Sequence, residues 1–420
     1  MVNDKIDIEE EIKRTRPDYV LYKPSSQDGF THDTGNEEVH VFKCPDRSLM
    51  AVWTQSTFEG ENDQRVVFSK SFDDGISWSS PEIIAGPEPG RPYMASWGFP
   101  LVSRTGRIYI IYSRSTGLVD TFRHTTGLLA GKYSEDAGKT WSEEKIIPVR
   151  RSIWDNPDKS VPPNIIVWQK PERLSDGKYF VGFTRWVSRS VRPPAPVKVW
   201  WAEASVVEFM RFENVDDNPE IEKIEISFFA QDKDALKVGL ISYPDVPVAQ
   251  EPSIVKLPDE RLFCVMRTTT GSPYWSVSSD GGRTWTEPEP LRVSDNGPVM
   301  KHPCSPCPIY ELGDGKYIFF FHNHDGHFGN FTPFDTLDHR RPIFFSVGEF
   351  KIGAVQPIWF SKPVFFMDND GVRIGYQEGR ADLSMYSSFI ILGNRKILWY
   401  PDRKFFLLGK NISFEQHLKE

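Results

Sequence analysis

The sequence predicts an all-β fold: a six-bladed β-propeller built from four-stranded antiparallel blades. Three observations carry that expectation. One short turn pattern, S-x-D-x-G-x-[ST]-W, occurs three times, at 71–78, 134–141 and 278–285. Six segments share an apolar run, a tight D/G/N turn and a second apolar run, which is the pattern of a β-hairpin. Finally, 13 Trp, 30 Phe and 14 Tyr stand beside 33 Pro and 30 Gly, a balance that favours many short strands over long helices.

The hairpins fall in order at 39–53, 97–113, 164–183, 252–267, 306–321 and 386–400. Six units in 420 residues give about 70 residues each, the size of a propeller blade with its loops. The spacing of the turn agrees: 63 residues separate Asp73 from Asp136, and 144 separate Asp136 from Asp280, about two periods with one copy degenerate. A third strand and the turn follow the first, second and fourth hairpins, and a worn copy is expected near Ser346. Two stretches break the rhythm. The Pro-rich segment 188–201 reads as a rigid rim loop and 212–223 as a polar loop, with strand patterns resuming on both sides. The expectation is therefore one domain over 1–420, with residues 1–30 an extension that closes the last blade.

Composition excludes several classes. A net charge of −8 with no basic stripe argues against nucleic acid and anionic membrane surfaces as partners. Four cysteines make no disulfide framework, and the lone C-x-x-C of Cys304 and Cys307 has neither a second pair nor a redox-fold context. The charged N-terminus lacks an apolar leader core, and no run of eighteen apolar residues occurs, so the expected location is the cytoplasm. No phosphate-binding or dinucleotide fingerprint is present; 371–379 reads as a loop. No cofactor is expected.

The repeated turn resembles the Asp-box, and with blades of this size the chain resembles the sialidase (neuraminidase) superfamily of β-propellers. The resemblance implies that Asp73, Asp136 and Asp280 are structural. Their carboxylates and the serines hold turn amides, Gly takes a positive φ, and Trp packs between blades. Chemistry is then expected on inner strands, which converge on one funnel. By resemblance, Glu251 opens the fourth blade's strand as the base, and Arg267 closes its hairpin as a substrate-binding arginine. Tyr386, in the Tyr-Ser strand of the last unit, is the nucleophile. A phenol with a pKa near ~10 needs such a carboxylate to accept its proton. Arg340, on the same strand parity as Ser346, is the candidate third arginine, with Arg341 as alternate.

The chain departs from that family at its first arginine, which falls on Glu37. This carboxylate, with Glu38 and His40, is expected to set an acidic group at the channel mouth that disfavours the usual anionic sugar. The acid/base carboxyl is expected at Asp63, with Glu61 as alternate. A histidine cluster, His322, His324 and His327 with Asp325, reads as hydroxyl-binding or acid/base rather than metal-binding. Trp97, Trp154, Trp168, Trp186 and Trp200 are sugar-stacking candidates, more often inter-blade packing. The function that follows is a divergent exo-glycosidase acting on a keto-sugar acid, a uronic acid or a neutral sugar, with a glycan as partner. The alternatives are a polysaccharide lyase using His and Tyr beside a uronate, and a carbohydrate-binding propeller without catalysis.

Overall fold

The computed structural model describes residues 7–26, 31–193, 203–375 and 379–413. Six antiparallel sheets follow one another along the chain as the blades of a propeller. Their inner strands are Gly35–Lys43, Ala95–Val102, Asn164–Ile166, Gln250–Lys256, Ile309–Gly313 and Ser388–Leu392. The third and fifth blades each carry one strand beyond the four of the main path. Among the described residues no helix is long and apolar enough to cross a membrane.

The apolar runs lack clean alternation because both faces of each blade are buried. In "YIFFF", Phe319 and Phe321 join a cluster shared with the fourth blade, whereas Ile318 and Phe320 join one shared with the sixth. The same division recurs around the ring, so each pair of adjacent blades has its own apolar layer. The ring closes on the N-terminus. Tyr19–Tyr22 pairs with Phe406–Asn411 as the outer strand of the sixth blade. The preceding helix Ile8–Glu11 sends Glu11 to the buried Arg403, with Nη1–Oε2 at 2.5 Å.

The repeated turns are local devices. Ser278 Oγ donates to Asp280 Oδ1 at 2.8 Å and accepts from Gly282 N at 2.9 Å, while Asp280 accepts from Thr284 N and Oγ1 at 2.9 and 2.6 Å. The copies at Asp73 and Asp136 repeat these bonds. Hydrogen bonds from Ser77 and Thr140 lower both carboxyls to about 2. Each tryptophan meets the preceding blade: Trp285 stacks on Phe209 at 4.1 Å, Trp78 meets Trp399 edge-on at 5.3 Å, and Trp141 meets Phe68 at 5.5 Å.

Two loop expectations need correction. Ser346 opens no turn; it pairs with Phe319 in mid-strand, and the residue in the turn-opening register is Gly348, because Val347 bonds to Ser361 as Val277 does to Thr286. The polar segment 212–223 contains two 3₁₀ turns that bury Val215 and Ile221 against the second and third blades. Part of the Pro-rich segment, including Trp200, lies outside the described residues.

Gly282 has a φ of +91°, and a Cβ there would lie 2.3 Å from the Phe180 ring. Gly282→Ala is expected to lower unfolding free energy by about 2–4 kcal/mol through strain and overpacking, read as a lower urea midpoint at unchanged slope.

Candidate active site

The inner strands of the first, second and fourth blades share one irregularity. Their pairing shifts between Asn36 and Val39, Ser96 and Phe99, and Gln250 and Ser253. Such bulges re-aim side chains. Here they present Glu37 and Glu38, Trp97, and Glu251. Trp97 and Glu251 take left-handed φ values of +57° and +49°, costly for residues with a Cβ. A threonine from the preceding blade holds each in place: Trp97 N donates to Thr54 Oγ1 at 2.9 Å, and Glu251 N donates to Thr184 Oγ1 at 2.6 Å.

Glu251, Arg267 and Tyr386 come together on this frame. Tyr386 Oη donates to Glu251 Oε1 at 2.7 Å, and Arg267 Nη1 donates to Glu251 Oε2 at 2.7 Å and to Tyr386 Oη at 3.2 Å. Arg267 Nε is held by Gln250 Oε1 at 2.8 Å. Arg267 is fully buried, and these bonds tie it to the Tyr–Glu pair rather than to an open surface. Burial, followed by the Glu251 charge, pushes the Tyr386 phenol well above its ordinary value; Arg267 and Arg340 oppose that shift. Trp97 and Trp168 pack on the Tyr386 ring at 5.8 and 5.9 Å, and Lys404 Nζ stands 4.8 Å from its centroid. Both tryptophans are buried, so they shape the socket of Tyr386 rather than a sugar-facing wall.

Beside this group lies a cavity of about 510 Å³, lined by Phe58, Glu59, His124, Arg340 and Arg380 among others. Arg340 Nε donates to the Cys304 carbonyl at 3.0 Å and Nη1 to Ser384 Oγ at 3.2 Å, while Nη2 has no protein partner among the described residues. Arg341, the alternate, is turned away in a bidentate pair with Asp368.

Glu59 and Arg380 were not singled out in the sequence. Glu59 Oε2 accepts from Lys404 Nζ at 2.5 Å and from Arg380 Nη1 at 3.4 Å. Burial alone would raise the Glu59 carboxyl, but Lys404 and Arg380 override it and hold it below the usual range. Glu59 stands 22 positions after Glu37, where the resemblance places the acid/base carboxyl, and that spacing was the available signal. Asp63 is instead a loop anchor, bonded to exposed His32 at 2.8 Å and to Thr57 N and Oγ1 at 3.0 and 2.7 Å. Neither Asp63 nor Glu61 lines the cavity.

Glu37, Glu38 and His40 are buried, not set at a channel mouth. Glu37 Oε1 accepts from Gln64 Nε2 at 2.6 Å, and burial, then Glu59, holds this carboxyl well above its usual range. Burial likewise raises Glu38 to about 7, against a bond from Thr54 at 2.5 Å. Both His40 ring nitrogens lack protein partners among the described residues, and burial lowers its pKa to about 3.

The ring nitrogens of His322 and His324 are engaged within the protein. His322 is bonded through Nε2 to Ser305 Oγ at 2.9 Å and through Nδ1 to the Pro342 carbonyl at 3.1 Å, and stacks on His302 at 5.0 Å. His324 uses Nε2 on the Arg341 carbonyl and Nδ1 on Gly326 N. His327 is exposed beside Asp325. None of the three lines the cavity; His124 does. Among the described residues no group of three or more His, Cys, Asp or Glu could hold a metal ion. Cys304 and Cys307 are free and buried.

These features place the chain among β-propellers of the sialidase type. The family model of the BNR repeat-like domain matches residues 47–389, and the chain belongs to that family. No curated protein sequence matches. Among solved structures, the Hadza microbial sialidase Hz136 is similar with a TM-score of 0.60 and 14% identity, over 92% of this chain and 67% of that one. The leech intramolecular trans-sialidase, complexed with 2,7-anhydro-Neu5Ac, gives 0.59 and 13%, over 95% and 71%. The Streptococcus pneumoniae NanB sialidase gives 0.61 and 10%, over 96% and 71%.

His40 yields a pH prediction. Its folded pKa lies below the unfolded value of 6.5, so the unfolded chain takes the proton first and stability falls as pH drops below 6.5. His40→Gln is expected to remove about 2 kcal/mol of the loss between pH 7 and pH 5, measured by urea unfolding at both values.

Proposed function

We propose that the protein is a glycoside hydrolase that removes a terminal acidic sugar, with Tyr386 as nucleophile and Glu251 as its base. The observation that carries this reading is the buried 2.7 Å hydrogen bond from Tyr386 Oη to Glu251 Oε1. A phenol this hard to ionise becomes a nucleophile only as a carboxylate takes its proton, and a purely binding propeller needs no such pair. Tyr386 oxygen attacks the anomeric carbon while its proton passes to Glu251. The glycosidic bond breaks, and the leaving oxygen takes a proton from the Glu59 carboxyl. Water then attacks the tyrosyl intermediate, Glu59 takes the water's proton, and Glu251 returns the phenol's. Only 3% of Tyr386 is exposed, so side chains must move before a sugar can reach it.

An acidic sugar, whether a keto-sugar acid or a uronic acid, is favoured over a neutral one. Arg340 offers the cavity a guanidinium nitrogen without a partner, and a carboxylate is the group that matches it. At rest, Glu59 is ionised. To deliver a proton it must first gain one, and the arginine that opposes this is Arg380.

A second reading, elimination beside a uronate, is supported by His124, a cavity-lining imidazole whose pKa burial lowers. Mass spectrometry of products from sialosides, uronate oligosaccharides and neutral glycans separates the two. Hydrolysis adds one water, whereas elimination leaves an unsaturated product of unchanged total mass. For the hydrolase, Tyr386→Phe and Glu251→Gln are each expected to lower kcat by about 10²–10⁴-fold. Glu59→Gln is expected to lose activity that Asp63→Asn retains; the reverse order would return the acid/base role to Asp63.

A further inference from the structure

This inference rests on the reading of the site as one that takes an acidic sugar. The arginines of this region differ in the hydrogen-bonding capacity they have left. Arg373 is paired bidentately with Asp338, with contacts of 2.8 and 2.5 Å, and Arg341 with Asp368, with contacts of 2.7 and 2.5 Å. Arg380 is held by longer contacts, 3.4 Å from Nη1 to Glu59 and 3.7 Å from Nε to Asp382, and its Nε makes no hydrogen bond among the described residues. Its backbone is fixed by reciprocal bonds with Ile374, and its guanidinium lies 4.9 Å from the Phe58 ring centroid on the cavity wall. The cation is therefore positioned but incompletely paired.

Glu59 does not depend on Arg380 for its partner, because Lys404 Nζ remains at 2.5 Å. Lys404 is itself locked beside the first inner strand, where Asn36 N donates to its carbonyl at 2.7 Å. Drawing Arg380 away therefore leaves Glu59 paired, while Asp382 keeps its bond from Ser384 Oγ.

We propose that Arg380 is the specificity-determining residue of the site: on binding, it exchanges Glu59 for the carboxylate of an acidic sugar and grips that group together with Arg340. It supplies, from the segment before the last inner strand, a guanidinium that position 37 lacks. The exchange also removes one of the two cations facing Glu59, which is the direction that carboxyl needs to hold the proton it delivers.

Calorimetric titration of a Tyr386→Phe protein reads binding without turnover. The probes are N-acetylneuraminate and glucuronate, each beside its methyl ester. The expected result is tighter binding of at least one acid than of its ester. Adding Arg380→Gln should cut that preference roughly 10- to 100-fold while leaving the ester's Kd in place, with partial recovery in Arg380→Lys. The lysine variant keeps a cation opposite Glu59, so it carries the test if the glutamine variant does not fold. A preference that survives both substitutions at 380 and disappears in Arg340→Gln would overturn the role of Arg380 while leaving the acidic-sugar reading standing. Absence of any acid preference before Arg380 is changed would overturn both.

Discussion

The site depends on one constraint: a guanidinium with no exposure to solvent has to be matched inside the protein. Arg267 is that group, and removing Glu251 would leave a buried charge uncompensated, an expense of several kcal/mol. Gln250 and Glu251 satisfy it only because the fourth inner strand bulges between Gln250 and Ser253, which turns two successive side chains toward the same guanidinium. The bulge forces Glu251 into a left-handed φ, and Thr184 from the third blade holds its amide there. The same carboxylate then has one oxygen for Arg267 and the other for Tyr386. Orientation of the Glu251 carboxylate toward Tyr386 is therefore a consequence of arginine burial.

A second balance of charge surrounds the first. Glu37 introduces a carboxyl where the resemblance places a cation, and the structure answers with cations from elsewhere. Lys404 reaches in from the sixth blade and Arg380 from the segment before it, with Glu59 between them. Burial, then Glu59, pushes the Glu37 carboxyl well above its usual range, toward the protonated form.

The architecture was legible because its signals are local. Each Asp-box is a closed set of hydrogen bonds within eight residues, and each hairpin carries its own turn. Glu251, Arg267 and Tyr386 were legible because each stands at a fixed place on a recognisable strand. Glu59, Arg380 and Lys404 were not, because loops and strand ends carry no periodicity and their significance lies in contacts across more than three hundred residues of sequence. The histidines misled for a related reason. An H-x-H run reports which side chains share a face, yet whether their nitrogens are free depends on Ser305, Pro342 and Arg341, which the run does not contain.

The location of the site relative to the chain's ends adds a last step. Glu37 and Glu59 belong to the first blade, and Tyr386 and Lys404 to the sixth, so the site straddles the seam where the ring closes. Val39 N donates to the Tyr386 carbonyl at 3.2 Å, and Asn36 N to that of Lys404 at 2.7 Å. Behind the seam, Arg403 is fixed by Glu11, just ahead of the strand that completes the sixth blade. Other interfaces of the propeller join their apolar layers to polar contacts such as Trp97 N to Thr54 and Glu251 N to Thr184. This one also carries opposed charges that have no partners until the two blades meet. Closing the ring and assembling the charge balance of the site are therefore the same event, and the N-terminal strand helps to hold that seam shut.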